Sequence, residues 1–156
     1  MFNSLIIAIA LVGLFGSHGE SQPQQKTVVF VCEHGAAKSV VAAAHFNRLA
    51  RERRLPFRAI SRGTSPDPEV PAFIRNGLKA DAAPVASSFV PTRVSSGDTA
   101  TAAHVITFDV KLPDDVQASA TTNWTGVPNF SDGYGPARAD IVTRVEALLR
   151  QVAGAR

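Results

Sequence analysis

The segment "CEHGAAKS", Cys32 to Ser39, holds the only cysteine of the chain. A single cysteine cannot close an internal disulfide, so it is either an apolar filler or a thiol kept for reactivity. The residues that follow it favour reactivity. Gly35, Ala36 and Ala37 carry small or absent side chains, which lets the backbone N–H groups of the loop turn inward around an anion. The helix expected to begin near Ser39 adds about half a positive charge and unpaired donors at its N-terminus. Lys38 supplies a full positive charge. The same field favours thiolate over thiol, and the Ser39 hydroxyl is spaced to donate to the sulfur. Glu33 would work against a thiolate from close range and is expected to point outward. These residues predict an oxyanion cradle beside a reactive sulfur.

The elements that must position this loop are legible on either side of it. "TVVFVC" is an unbroken apolar, β-branched run, the pattern of a strand buried on both faces of a parallel sheet. Cys32 then stands at the carboxyl end of the first strand, where open α/β sheets bind ligands. Ala42, Phe46, Leu49 and Ala50 form the buried stripe of the helix after the loop. "FRAIS" reads as a second strand, "HVITFDV" as a third ending at Asp109, and "ATTNW" as a fourth. Val70, Phe73, Ile74 and Leu78 mark a second amphipathic helix, and a short helix is expected within "SSFVPTRVSSGDTATA". Gly135-Pro136 opens the last helix, with Ile141, Val145, Leu148, Leu149 and Val152 on its apolar face and Gly154 as its stop. Strands alternate with helices throughout, which predicts an α/β fold.

The chain has 156 residues, enough for one domain with a proper core, and 45% are hydrophobic against 19% charged. This excludes a disordered, collagen-like or disulfide-built protein. The formal charge is +3. Arg48, Arg51, Arg53 and Arg54 read as the solvated face and end of a helix, because no aromatic residues interleave with them as at a nucleic-acid site. Residues 1–19 read as a secretory signal: an apolar run from Leu5 to Gly16, then the small-x-small sequence Ser17-His18-Gly19. The alternative is a retained anchor, since no Lys or Arg precedes the apolar run. Residues 20–26 form a polar leader and 27–156 the domain. The expected location is periplasmic or secreted, with no membrane contact after cleavage and no nucleic-acid partner. The domain is expected to be monomeric.

The cysteine loop directly after the first strand resembles the C-x5-R-[ST] loop of the low-molecular-weight protein tyrosine phosphatase and arsenate reductase superfamily. The resemblance extends over the following helix, the "AAHVITFDV" strand and the terminal "ARADIVTRVEALL" helix. It implies a three-layer α/β/α sandwich on a four-stranded, mainly parallel sheet. It also implies a hydrolase that cleaves a phosphomonoester, phosphotyrosine among them, through a phosphocysteine on Cys32. Glu33, His34, Gly35, Ala36, Ala37 and Lys38 would hold the oxyanion, and Ser39 would stabilise the thiolate. No cofactor is implied, and no His/Cys/Asp spacing suggests a metal site.

The chain departs from this pattern at three places. Lys38 stands where the superfamily has arginine, a point charge in place of a planar fork. The superfamily's general acid is the aspartate of an Asp-Pro pair before the last helix; here Val127 precedes Pro128 and carries no proton. Asp132 is the candidate to replace it, with a turn residue in "SDGYG" as its other reading; Asp109 is a weaker candidate. Gly35 occupies a position where an asparagine often braces the loop. His34 either contacts the oxyanion or faces solvent, while His45 and His104 read as structural. A reductase that shuttles a disulfide is excluded by the lack of further cysteines. Weakened phosphatase activity is the principal expectation. A non-catalytic oxyanion-binding module, a single-cysteine arsenate reductase using an external thiol and a phosphocarrier remain open.

Overall fold

Residues 24–154 are described by a computed structural model; the segment read as a signal peptide lies outside them. β1 (Lys26–Cys32) is buried from Val28 to Cys32, as its unbroken β-branched run requires of a strand covered on both faces. It pairs in parallel with β2 (Phe57–Gly63) on one side and β3 (His104–Thr107) on the other. β4 (Thr121–Asn123) pairs in parallel with the outer side of β3, giving the order β2-β1-β3-β4. The four-stranded sheet is thus wholly parallel.

That order fixes where a ligand can bind. The chain leaves β1 through α1 (Lys38–Glu52) to β2, then crosses back to β3 on the opposite side of β1. Such a reversal opens a crevice outside the carboxyl ends of the two strands where the order turns. Here those ends are Cys32 and Thr107.

α1, α2 (Ala72–Ala80) and α4 (Tyr134–Gly154) share one core with Val28, Phe30 and Cys32. The expected stripes of α1 and α4 are buried in full. Phe30 is the centre of this core, with ring centres of Phe46 at 6.0 Å, Phe108 at 6.3 Å and Trp124 at 5.6 Å. Burying each such ring contributes about 1.5–3 kcal/mol. The other face of β1 carries Val29 and Val31, which pack with Val94, Val105 and Val116. Beside Val94 stands α3 (Ser96–Thr99), a single turn closed by a reciprocal Ser95–Asp98 capping box. The second outer layer of the sandwich is therefore thin.

The elements differ from the sequence reading at three points. Only Ile74 and Leu78 of α2 are buried; Val70 precedes the helix and Phe73 is 48% exposed, its ring lying over Phe130 at the edge of the core. Asp109 lies beyond the third strand, which stops at Thr107. α4 starts at Tyr134, so Pro136 falls within the first turn, where its missing N–H has no helical partner to lose. α4 runs to Gly154, the last of the described residues.

α2 ends with Ala82 in the left-handed conformation (φ 54°), the amides of Ala82 and Ala83 returning to the Lys79 and Leu78 carbonyls. This turn points Asp81 at α1 and α4. Its carboxylate accepts from His45 Nε2 at 3.1 Å, Tyr134 Oη at 2.9 Å and Arg138 Nε at 3.0 Å. One carboxylate thus ties three helices. Among the described residues no helix is long and apolar enough to cross a membrane.

Candidate active site

The loop between β1 and α1 takes its shape from the segment after β2. The carbonyls of Cys32, Glu33 and His34 accept from the amides of Thr64 (3.0 Å), Ser65 (2.8 Å) and Asp67 (2.9 Å). The Gly35 carbonyl accepts from Ser61 Oγ at 3.4 Å. Among the described residues all peptide bonds are trans. In a planar trans peptide the N–H points opposite to the preceding C=O. The amides of Glu33, His34, Gly35 and Ala36 are therefore turned away from residues 61–67. Among the described residues, none of the four donates to a protein acceptor.

A cleft of about 480 Å³ opens at this loop and has no lining residue from 61–67. Cys32, Glu33, His34 and Lys38 line it from the loop, Asp109 from the end of β3, and Phe130 from the approach to α4. Cys32 is only 7% exposed and belongs to the core cluster, yet it also lines the cleft. Its position as the last residue of a buried strand explains both. Cys32 Sγ lies 3.1 Å from Ser39 Oγ, which lies 3.0 Å from Ser61 Oγ. Ser61 Oγ carries one hydrogen, with the Gly35 carbonyl at 3.4 Å and Ser39 Oγ at 3.0 Å as its acceptors; when it turns to the nearer Ser39, the Ser39 proton is free for the sulfur, a bond that stabilises negative charge there.

Lys38 lines the cleft, and its Nζ donates to the Val127 carbonyl at 2.8 Å. One of its three N–H groups is committed to the loop before α4, leaving two for an anion. The Val127 side chain is buried in the core. Glu33 is exposed, with 65% of its side chain in solvent, as expected of a carboxylate kept off the sulfur. His34 sits at the cleft with Nδ1 3.1 Å from Asp67 Oδ1.

Asp132 ends the 3-10 turn Phe130–Asp132, is exposed and is not itself among the residues that line the cleft. Phe130 is the buried residue of that turn, packed on Phe73 and Tyr134, and Ser131, which lines the cleft, meets the Asp132 carboxylate at 3.5 Å. The aspartate that does reach the cleft is Asp109. Its backbone is left-handed (φ 52°), which aspartate tolerates better than most residues. Its amide donates to Asn123 Oδ1 at 3.0 Å, so β4 holds the turn. A neighbouring groove of about 730 Å³ shares Asp109 and Val110 but is not lined by Cys32. His45 is fully buried against Asp81, and His104 lies on β3, away from the cleft lining. Among the described residues, no group of three or more His, Cys, Asp or Glu is placed to hold a metal.

Sequence reasoning missed Ser61 and Asp67. A signal for Ser61 existed: Phe57, Ala59 and Ser61 occupy the inward positions of β2, and a hydroxyl in that series needs a partner. Asp67 has none, since its role depends on the turn of a loop.

Gly35 has φ 62°, and a Cβ added there would lie 2.8 Å from Gly63 N and 3.1 Å from Gly63 Cα. Two backbones touch here, so the loop is braced by direct packing on the end of β2, without an asparagine side chain. Gly35→Ala is expected to lower stability by about 1–3 kcal/mol through strain and contact with backbone that cannot move aside. Urea unfolding measures this; an unchanged midpoint would show that the brace is dispensable.

No protein-family model matches the chain, and neither does any curated protein sequence. Solved structures do match in fold. YfkJ from Bacillus subtilis superposes with a TM-score of 0.74 at 18% identity, over 85% of this chain and 97% of that one. A low-molecular-weight protein tyrosine phosphatase from Bacillus subtilis gives 0.71 at 15% identity, over 82% and 97%. An arsenate reductase from Archaeoglobus fulgidus gives 0.62 at 26% identity, over 78% and 97%. The chain has the fold shared by low-molecular-weight protein tyrosine phosphatases and arsenate reductases, the superfamily its cysteine loop resembles.

Proposed function

We propose that the protein is a cysteine-dependent phosphatase that hydrolyses a phosphomonoester through a phosphocysteine on Cys32. One observation carries this reading: the sulfur that meets Ser39 Oγ at 3.1 Å lines the same cleft as a loop whose amides have no protein acceptor among the described residues. The phosphoryl oxygens would lie on those amides and on the two spare N–H groups of Lys38. The Cys32 sulfur attacks phosphorus, the bond to the leaving oxygen breaks, and water then cleaves the P–S bond and returns the thiolate. A cleft of about 480 Å³ is several times the size of a tetrahedral oxyanion, which leaves room for an ester's organic group. Turnover should be slow, because an ammonium follows the rearranging oxygens with less geometric control than a guanidinium.

Acid quenching during turnover of an aryl phosphate, followed by mass analysis of the peptide carrying Cys32, tests the reading. A phosphoryl group on Cys32, and slower alkylation of Cys32 by iodoacetamide when phosphate is present, are expected. Absence of both would overturn the proposal. The bond from Lys38 to Val127 favours a second reading, an oxyanion-binding module without turnover; protection by phosphate without any adduct would select it. Export of the domain is part of the proposal and rests on the apolar run Leu5–Gly16. Sequencing the N-terminus of the mature protein checks it.

A further inference from the structure

A phosphomonoester with a poor leaving group needs a proton delivered to the departing oxygen. The titratable side chains lining the Cys32 cleft, besides the thiol, are Glu33, His34, Lys38 and Asp109. Lys38 is held on the Val127 carbonyl by one N–H. Among the described residues, the Asp109 carboxylate has no hydrogen-bond partner that would orient it. His34 differs from both. Its Nδ1 lies 3.1 Å from Asp67 Oδ1, and its own carbonyl accepts from the Asp67 amide at 2.9 Å. Asp67 therefore meets His34 twice, by a backbone hydrogen bond and by a close side-chain approach. A carboxylate can only accept, so its nearness favours the tautomer with hydrogen on Nδ1. Nε2 is then the nitrogen left to exchange a proton, its nearest charged neighbour being Glu33 Oε2 at 3.7 Å. A histidine oriented by a carboxylate beside a nucleophile is a recurrent arrangement for proton transfer.

We infer that His34, oriented by Asp67, is the proton donor and acceptor of the Cys32 cleft, an assignment that rests on the phosphatase reading above. In the first step the sulfur–phosphorus bond forms as the phosphorus–oxygen bond breaks, and the leaving oxygen takes the proton from Nε2 of the imidazolium. In the second step water attacks the phosphocysteine and gives its proton to the neutral Nε2. Phosphate and the thiolate are released, and Nδ1–H stays on Asp67 throughout. His34 is a catalytic residue in this scheme and Asp67 a positioning residue.

The test compares 4-nitrophenyl phosphate, whose leaving group needs little protonation, with phenyl phosphate, whose leaving group needs much. Parent, His34→Gln, Asp67→Asn, Asp109→Asn and Asp132→Asn are assayed. His34→Gln is expected to lose on the order of a hundredfold or more in kcat/KM with phenyl phosphate, and less than about tenfold with the nitrophenyl ester. Asp67→Asn should show the same discrimination at smaller size, which a merely structural role would not produce. Both residues are substantially exposed, so the variants should fold; circular dichroism checks this. Equal losses on both esters in His34→Gln, or the discriminating pattern in Asp109→Asn or Asp132→Asn instead, would overturn the assignment while leaving the phosphatase reading standing. No Cys32-dependent turnover in the parent would remove both.

Discussion

Cys32→Ser is expected to lower turnover of an aryl phosphate by on the order of a thousandfold or more, while the variant still binds phosphate. The two halves of this result have separate causes. Serine replaces sulfur with a smaller oxygen at the end of a buried strand and keeps a hydrogen-bonding partner for Ser39, so β1 and the loop should hold their shape. The loop amides are turned from residues 61–67 because the carbonyls behind them are tied there, and none of those ties involves the thiol. Binding by the loop therefore survives. Reactivity does not, because a thiol needs only stabilisation of its anion, whereas a serine hydroxyl needs a base. The group next to it is Ser39, backed by Ser61, and neither hydroxyl can accept the proton permanently. Steady-state kinetics together with calorimetric titration of phosphate check both halves. Equal rates in parent and variant would remove the phosphocysteine mechanism; loss of phosphate binding would mean that the sulfur also shapes the cradle.

The parts of this site that were legible in the sequence are those fixed by local pattern. The run "TVVFVC" has the pattern of a strand covered on both faces, and it is one of the two inner strands. The stripes of α1 and α4 follow from spacing within each helix. Small residues after Cys32 announced a loop whose amides could turn inward, and Gly35 proved to be where that loop touches Gly63. The rest depends on which distant segments meet. The end of Lys38 is occupied by Val127 O, 89 positions away, and no periodicity encodes that contact. Phe73 satisfied the helical pattern, yet it covers Phe130 from the solvent side and stays half exposed. Asp132 was chosen for its distance along the chain from Pro128. Which side of a turn it occupies depends on Phe130, the residue that the turn buries.

The largest stability effect is expected at Asp81, far from the chemistry. Asp81→Ala should lower unfolding free energy by about 3 kcal/mol or more, a large share of the usual margin of a small domain. The loss is larger than one hydrogen bond because three donors are stranded together: His45 Nε2, Tyr134 Oη and the Arg138 guanidinium. His45 is fully buried and cannot turn to water. Arg138 is about a third exposed and can, so it adds least. Burial would raise the Asp81 carboxyl, but hydrogen bonds from Arg138 and Tyr134 outweigh that and hold it below its ordinary 3.8. This stabilisation is present above pH 3.8 and is lost as pH falls through the lowered folded value. His45 acts at higher pH. Burial holds it below its ordinary 6.5, against the pull of Asp81 in the other direction. Below pH 6.5 the unfolded chain binds a proton that the folded chain refuses, so stability falls from 6.5 downward until the folded value is reached. His45→Gln should remove that first acid limb and leave the deeper one to Asp81. Urea unfolding of the parent, His45→Gln and Asp81→Ala between about pH 5 and pH 8, extended below pH 3.8 for the Asp81 limb, measures all of this. A parent whose stability is flat below pH 6.5, or an Asp81→Ala variant within about 1 kcal/mol of it, would show that the three helices are held by their apolar faces alone.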